Sequence, residues 1–167
     1  VRALNNDLEE ARTDLSDPRL DGFAEAALWR GAVLAKLGDW KQAADQFKVA
    51  DSILRDYPYP LKAKLGLLRV ETALSTRDLR TASSWLDELD VAVDELSRGQ
   101  YAELRFHQGR VAHANDDLDL AKDFWNELIE GDDLKYAARA EYLMINVERR
   151  QGDITDDEVI DRLERLR

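Results

Sequence analysis

The sequence predicts an all-α chain, an α-α superhelix or solenoid of about four antiparallel helix pairs preceded by an N-terminal half repeat. Three observations carry that prediction. Proline occurs only at positions 18, 58 and 60, and β-branched residues never gather into the alternating runs that strands need. Apolar residues recur at helical spacing. The helical pattern itself returns with a fixed period of about 39 residues, and a period in that range is the mark of stacked structural repeats.

The period is clearest in the second helix of each pair. Trp40, Ala43, Phe47 and Ala50 return as Leu79, Ala82, Leu86 and Leu89, then as Leu118, Ala121, Trp125 and Leu128, every step being the same. Carried backwards, the same frame meets Val1, Leu4, Leu8 and Ala11. Within each set the steps are three, four and three, which places the four side chains on one stripe of a helix. Ala43, Phe47, Ala82, Leu86, Ala121 and Trp125 are therefore expected in the core. The first helices keep the same register, with Leu28, Leu67 and Phe106, and again Leu34, Ala73 and Ala112, one period apart. Gly31 and Gly109 lie two periods apart, with Val70 between them. A mid-helix glycine costs about 1 kcal/mol relative to alanine, so these two are expected where a first helix crosses a second closely.

Taken in order, helices are predicted near 1–15, 22–37, 40–56, 61–76, 79–96, 99–115, 118–130, 134–151 and 155–166. The first is the half repeat. Asp39, Asp78 and Asp117 stand just ahead of second helices, where a carboxylate can accept a backbone hydrogen bond and favours the positive end of the dipole. Asp153 takes that place in the fourth pair, slightly short of a full period. The last helix opens with Thr155 and Glu158 in the spacing of a capping box, followed by Val159, Leu163 and Leu166. Short connections make consecutive helices antiparallel, and no linker divides residues 1–167, so one domain is expected. Both termini fall inside second helices, whereas repeat arrays end in polar capping repeats. The expectation is a segment of a longer protein, with apolar edges at Val1, Leu4 and Leu8 and at Val159, Leu163 and Leu166 that favour self-association.

Composition excludes several functions. Lys and Arg total 24 against 35 Asp and Glu, a net charge of −11, and such a chain repels phosphate backbones, so nucleic acid is not expected as a partner. No apolar run is long enough to insert in a membrane. A soluble chain in the cytoplasm or the bacterial periplasm is expected, and the absence of cysteine suits both. No phosphate-binding or nucleophile motif is present, so no catalytic residue, metal or cofactor is assigned. His107 and His113 do not stand at i, i+4 and cannot form a helical metal pair; Glu103 and His107 share a face and read as a salt-bridged surface pair. Of the tryptophans, Trp40 and Trp125 take core positions, while Trp29 and Trp85 fall off the stripe and are the candidates for partly exposed contacts.

Ala27, Arg30, Gly31 and Leu34, then Gly38-Asp39-Trp40, then Ala43, Phe47 and Ala50 resemble the tetratricopeptide repeat, which carries Ala-x-x-x-Phe on its second helix. The third pair is similar through Gly109, Ala112, Ala121 and Trp125. The period is longer than the family's, which is about 34 residues; HEAT-like repeats are the nearest rival. The resemblance implies a protein-interaction scaffold that holds a partner peptide or protein segment in a concave groove of first helices. Leu28, Leu67, Phe106, Arg110, Tyr142, Asn146, Arg149 and Arg150 are the residues it assigns to partner binding. Charges at flanking inward positions cancel in the first three pairs, while the fourth offers Arg139, Arg149 and Arg150, so an acidic segment of the partner is expected there. The central set Ala32, Glu71, Arg110 and Asn146 lacks the lysine and asparagine combination with which family members clamp a terminal carboxylate. The alternative is a structural or oligomerising helical arm of a larger protein, including one whose other domain is an enzyme.

Overall fold

The computed structural model of the chain describes residues 7–166. Among them are nine α-helices and no strand: α1 (Leu8–Leu15), α2 (Ala24–Lys36), α3 (Trp40–Arg55), α4 (Leu61–Ser75), α5 (Leu79–Asp90), α6 (Arg98–Ala114), α7 (Leu118–Ile129), α8 (Leu134–Gln151) and α9 (Asp156–Arg165). The predicted all-α fold is thus the observed one. Val1 and Leu4 lie outside the described residues. The fifth helix, predicted to reach residue 96, ends at Asp90, and a 3-10 turn follows at Val93–Glu95. Charge explains the shortening: Asp87, Asp90, Asp94 and Glu95 crowd that end and the last turn of α5 holds no basic residue, so negative charge meets the negative end of the helix dipole.

One turn is built four times. The first helix of each pair ends in a Schellman motif, which needs a left-handed residue just past the helix. Gly38 (φ 82°), Arg77 (φ 62°), Asp116 (φ 64°) and Gly152 (φ 77°) supply it. The next residue, an aspartate each time, donates its backbone N–H to a carbonyl in the closing turn of that helix: Asp39 to Leu34, Asp78 to Ala73, Asp117 to Ala112 and Asp153 to Glu148, at 2.8–2.9 Å. In the first three pairs the same aspartate then caps the second helix, accepting from the backbone N–H of Gln42, Thr81 and Leu120. One residue closes one helix and opens the next, which keeps the pair tight and antiparallel. The fourth pair departs from this scheme. Asp153 is not the cap of α9; the capping box of Thr155 and Glu158 is, and the Asp153 carboxylate pairs with Lys122 of α7 instead.

The described residues form two compact units that divide between Leu96 and Ser97. In the first, α2 packs on α3, α4 on α5 and α3 on α4, while α1 covers α2 by setting Ala11 against Val33. In the second, α6 and α8 each pack on α7 and touch one another, and α9 lies on α8. Arg162 secures α9 through Glu141 and Glu148 at 2.7 and 2.5 Å. The six residues expected in the core are all buried. Their helices approach over glycine: a methyl group at Gly31 would lie 3.1 Å from the Phe47 ring, and one at Gly109 would lie 2.3 Å from Trp125 Nε1. The second pair uses a glycine too, at Gly66 rather than position 70, against Trp85.

Trp85 is accordingly a core residue and not an exposed contact. Gly66 makes room for its ring, Asp51 accepts its indole N–H at 2.9 Å, and the Arg55 guanidinium covers it 4.7 Å from the centroid. Trp29 is half-buried as expected, but so is Trp40. At the chain's last helix Val159 is buried, whereas Leu163 and its neighbour Ile160 are exposed; Leu8 and Leu166 are half-buried.

Candidate functional site

The second unit concentrates arginine and aromatic side chains where α6 meets α8. Phe106 is the centre. Its ring lies 5.6 Å from that of Tyr136, and two guanidinium groups cover it, Arg139 at 4.3 Å and Arg110 at 5.8 Å from the centroid. Arginine stacks well on aromatic faces because its guanidinium is planar, delocalised and weakly hydrated.

Beneath this layer lies a polar relay. His107 is buried, with Nε2 3.8 Å from the Glu103 carboxylate and Nδ1 3.3 Å from Arg110 Nη1. The spacing suggests a surface pair; the structure keeps Glu103 only half-buried but buries His107, with the Phe106 ring 5.6 Å from the imidazole. Burial works to raise the pKa of the Glu103 carboxyl, but the neighbouring His107 imidazole, the Tyr136 hydroxyl and the charge of Lys135 outweigh it and leave the group below its ordinary range. Burial first, then the nearby Glu103 carboxylate, push the Tyr136 hydroxyl up. The relay therefore holds a carboxylate and a phenol in their ordinary charge states and fixes the position of Arg110. Neither the carboxyl nor the phenol is poised to exchange a proton near neutral pH. Among the described residues no group of three His, Cys, Asp or Glu side chains gathers to hold a metal ion, and no helix is long and apolar enough to cross a membrane.

The residues assigned to partner binding separate into two groups. Leu28 and Leu67, exposed by only 0% and 1%, and Phe106 at 3% are core residues and offer no surface. The two leucines are sealed within the first unit's packing, and the two arginines close over Phe106. Tyr142, by contrast, is 54% exposed. With exposed Arg139, Arg149 and Arg150 and half-buried Asn146, it forms a strip at i, i+3, i+4 spacing along α8, while Arg110 adjoins from α6. Besides Arg139 and Arg110, which stack on Phe106, two more of these side chains are partly engaged: Asn146 Nδ2 donates to the Tyr142 carbonyl at 2.7 Å, and Arg149 pairs with Asp156 at 3.1 Å. Tyr136 is the residue the sequence did not single out. Its role depends on Glu103, which is distant in sequence and sits on another helix, so no local pattern marks it.

No family model, no curated protein and no solved structure matches this chain.

Proposed function

We propose that this chain is a tetratricopeptide-like scaffold for protein interaction, and that the α6-α8 face of its second unit receives an acidic partner segment with an aromatic or apolar side. The observation that carries this reading is the α8 strip. An exposed tyrosine stands among Arg139, Arg149 and Arg150 on a chain of net charge −11. Tyrosine and arginine are the residue types that anchor interfaces, and stacked guanidinium groups present a fork that matches a carboxylate. Tyr142 would supply contact area, and the arginines orientation and association rate.

The test is affinity capture from the source cell with crosslinking, followed by measured affinities for whatever is captured. Wild type is compared with Tyr142→Ala and with Arg139→Glu/Arg150→Glu. Phe106 is left intact because its loss would open the core. Each variant is expected to weaken the partner's binding by about tenfold or more, the charge reversal more steeply at low salt. Unchanged binding of every partner by folded variants would overturn the reading. A self-associating arm is the second reading, favoured by Ile160 and Leu163, which are 54% and 36% exposed on α9. Sedimentation that shows a monomer at all concentrations would remove it.

A further inference from the structure

The first unit carries a second basic feature, unrelated to the α8 strip. A cleft of about 380 Å³ opens between α3 and α5. Lys48 enters it from α3, Arg69 from α4 and Arg80 from α5. On an acidic chain three cations from three helices thus converge, and none of them has a hydrogen bond or ion pair to another described residue. The cleft's one carboxylate is committed to other hydrogen-bond partners, although its charge and that of Asp78 act on Arg69 from nearby. Asp51 accepts from Trp85 Nε1 at 2.9 Å and from Arg55 Nε at 3.2 Å. Arg55 turns its remaining nitrogens to Glu88 at 3.1 Å and to the Ser84 hydroxyl oxygen at 3.2 Å, which leaves the Ser84 proton to donate elsewhere.

Arg69 is the informative member. It is only 6% exposed, and its buried Nε has no hydrogen-bond partner. Leu65, Leu67 and Val70 occupy the neighbouring buried positions of α4, so packing alone would be served by an apolar side chain. Burial draws the guanidinium pKa down, against the pull of Asp51 and Asp78, yet arginine stays charged. The cleft therefore holds a cation out of water with a donor unmet, an arrangement that disfavours the fold unless something answers it.

We propose that this cleft binds a dianionic phosphate monoester. Arg69 and Arg80 donate to its oxygens, Lys48 adds a third charge and Ser84 a neutral donor. Lys48, Arg69 and Arg80 beside the one lining carboxylate, Asp51, suit a dianion better than a single carboxylate, and guanidinium forks match phosphate oxygens in pairs. Past Ser84 the cleft opens into a wider groove bounded by Ser83, Asp87 and Val91, where the group that carries the phosphate extends. Two sources have this chemistry, a free phosphorylated metabolite and a phosphoserine in a peptide.

The test is a heteronuclear NMR titration at low ionic strength with inorganic phosphate, O-phosphoserine, a phosphoserine peptide, its unphosphorylated form and acetate. The phosphate probes should shift the Trp85 indole and the Thr81 and Ser84 amide signals saturably; acetate and the plain peptide should not. Lys48→Ala/Arg80→Ala removes two exposed side chains, and should weaken binding by at least about tenfold while the Trp29 and Trp40 indole signals stay in place. Arg69→Met should abolish binding and leave the protein as stable or more so, since it replaces a buried charge by an apolar group. A peptide bound at least about tenfold more tightly than O-phosphoserine supports the site and assigns it to phosphorylated proteins; equal affinity supports the site and assigns it to free monoesters. Absence of saturation by every phosphate probe, an equal response to acetate, or unchanged affinity in the Lys48→Ala/Arg80→Ala protein overturns the proposal.

Discussion

Gly109 and Trp125 make the tightest contact over any glycine of the described chain, and they show how one absent methyl group sets a repeat's geometry. The indole lies over the glycine backbone, and its buried Nε1 has no hydrogen-bond partner. Gly109→Ala is expected to cost about 1 to 3 kcal/mol in urea unfolding, because a Cβ 2.3 Å from the ring forces the helices apart. Gly31→Ala should fall within about 1 kcal/mol of wild type. There the Phe47 ring at 3.1 Å has only a few tenths of an ångström to give, and alanine gains helix propensity. Both positions were legible in the sequence because they share the period. Gly66 was not, since its partner Trp85 comes most of a helical turn later than the register that sets Phe47 after Gly31 and Trp125 after Gly109. Phe106 was misplaced for a related reason: a period shows that a residue recurs, but not which of two neighbouring helices or overlying arginines covers it.

At the scale of the element, the repeated turn accounts for the antiparallel pairs better than composition does. The aspartates were visible as caps. Their second role, closing the preceding helix, was hidden because glycine marks the left-handed position in only two of the four turns. Arg77 is the costliest occupant, since a long side chain at positive φ gains none of the local hydrogen bonding that makes aspartate tolerable there. Arg77→Gly is therefore expected to stabilise the protein by about 0.5 to 1 kcal/mol, and Asp116→Gly by less. Thermal melts of the two variants beside wild type check this; a loss of stability in Arg77→Gly would show that the side chain makes a contact outweighing the strain. The shortening of α5 teaches the same lesson in reverse, because its apolar stripe continues to Val93 but its acidic end does not support helix that far.

For the whole molecule, acidity divides into general repulsion and a few carboxylates with assigned partners. Glu88 links α3 and α4 through Arg55 and Lys62. The hydrogen bond from Lys62 and the two positive charges hold its carboxyl below the ordinary range against burial. A carboxyl depressed in the fold stabilises it above the unfolded pKa, and that contribution disappears as pH falls through the folded pKa. Glu88→Gln should thus cost about 1 kcal/mol near neutral pH and next to nothing in acid, below the folded pKa. Since repulsion among the remaining carboxylates eases on acidification in both proteins, the difference between them, measured by denaturation across pH, isolates the pair. Division of the chain at Leu96 and Ser97 was not legible, because no linker composition marks it. It also distributes the indoles unevenly, with Trp29, Trp40 and Trp85 in the first unit and Trp125 alone in the second. An indole sealed from water, in surroundings packed too closely to reorient around its excited state, emits toward the blue. Trp85 is sealed as fully as Trp125, so the red shift on heating belongs to the second unit alone only when the other three tryptophans are replaced by phenylalanine, and it then times that unit's loss of structure without any added label.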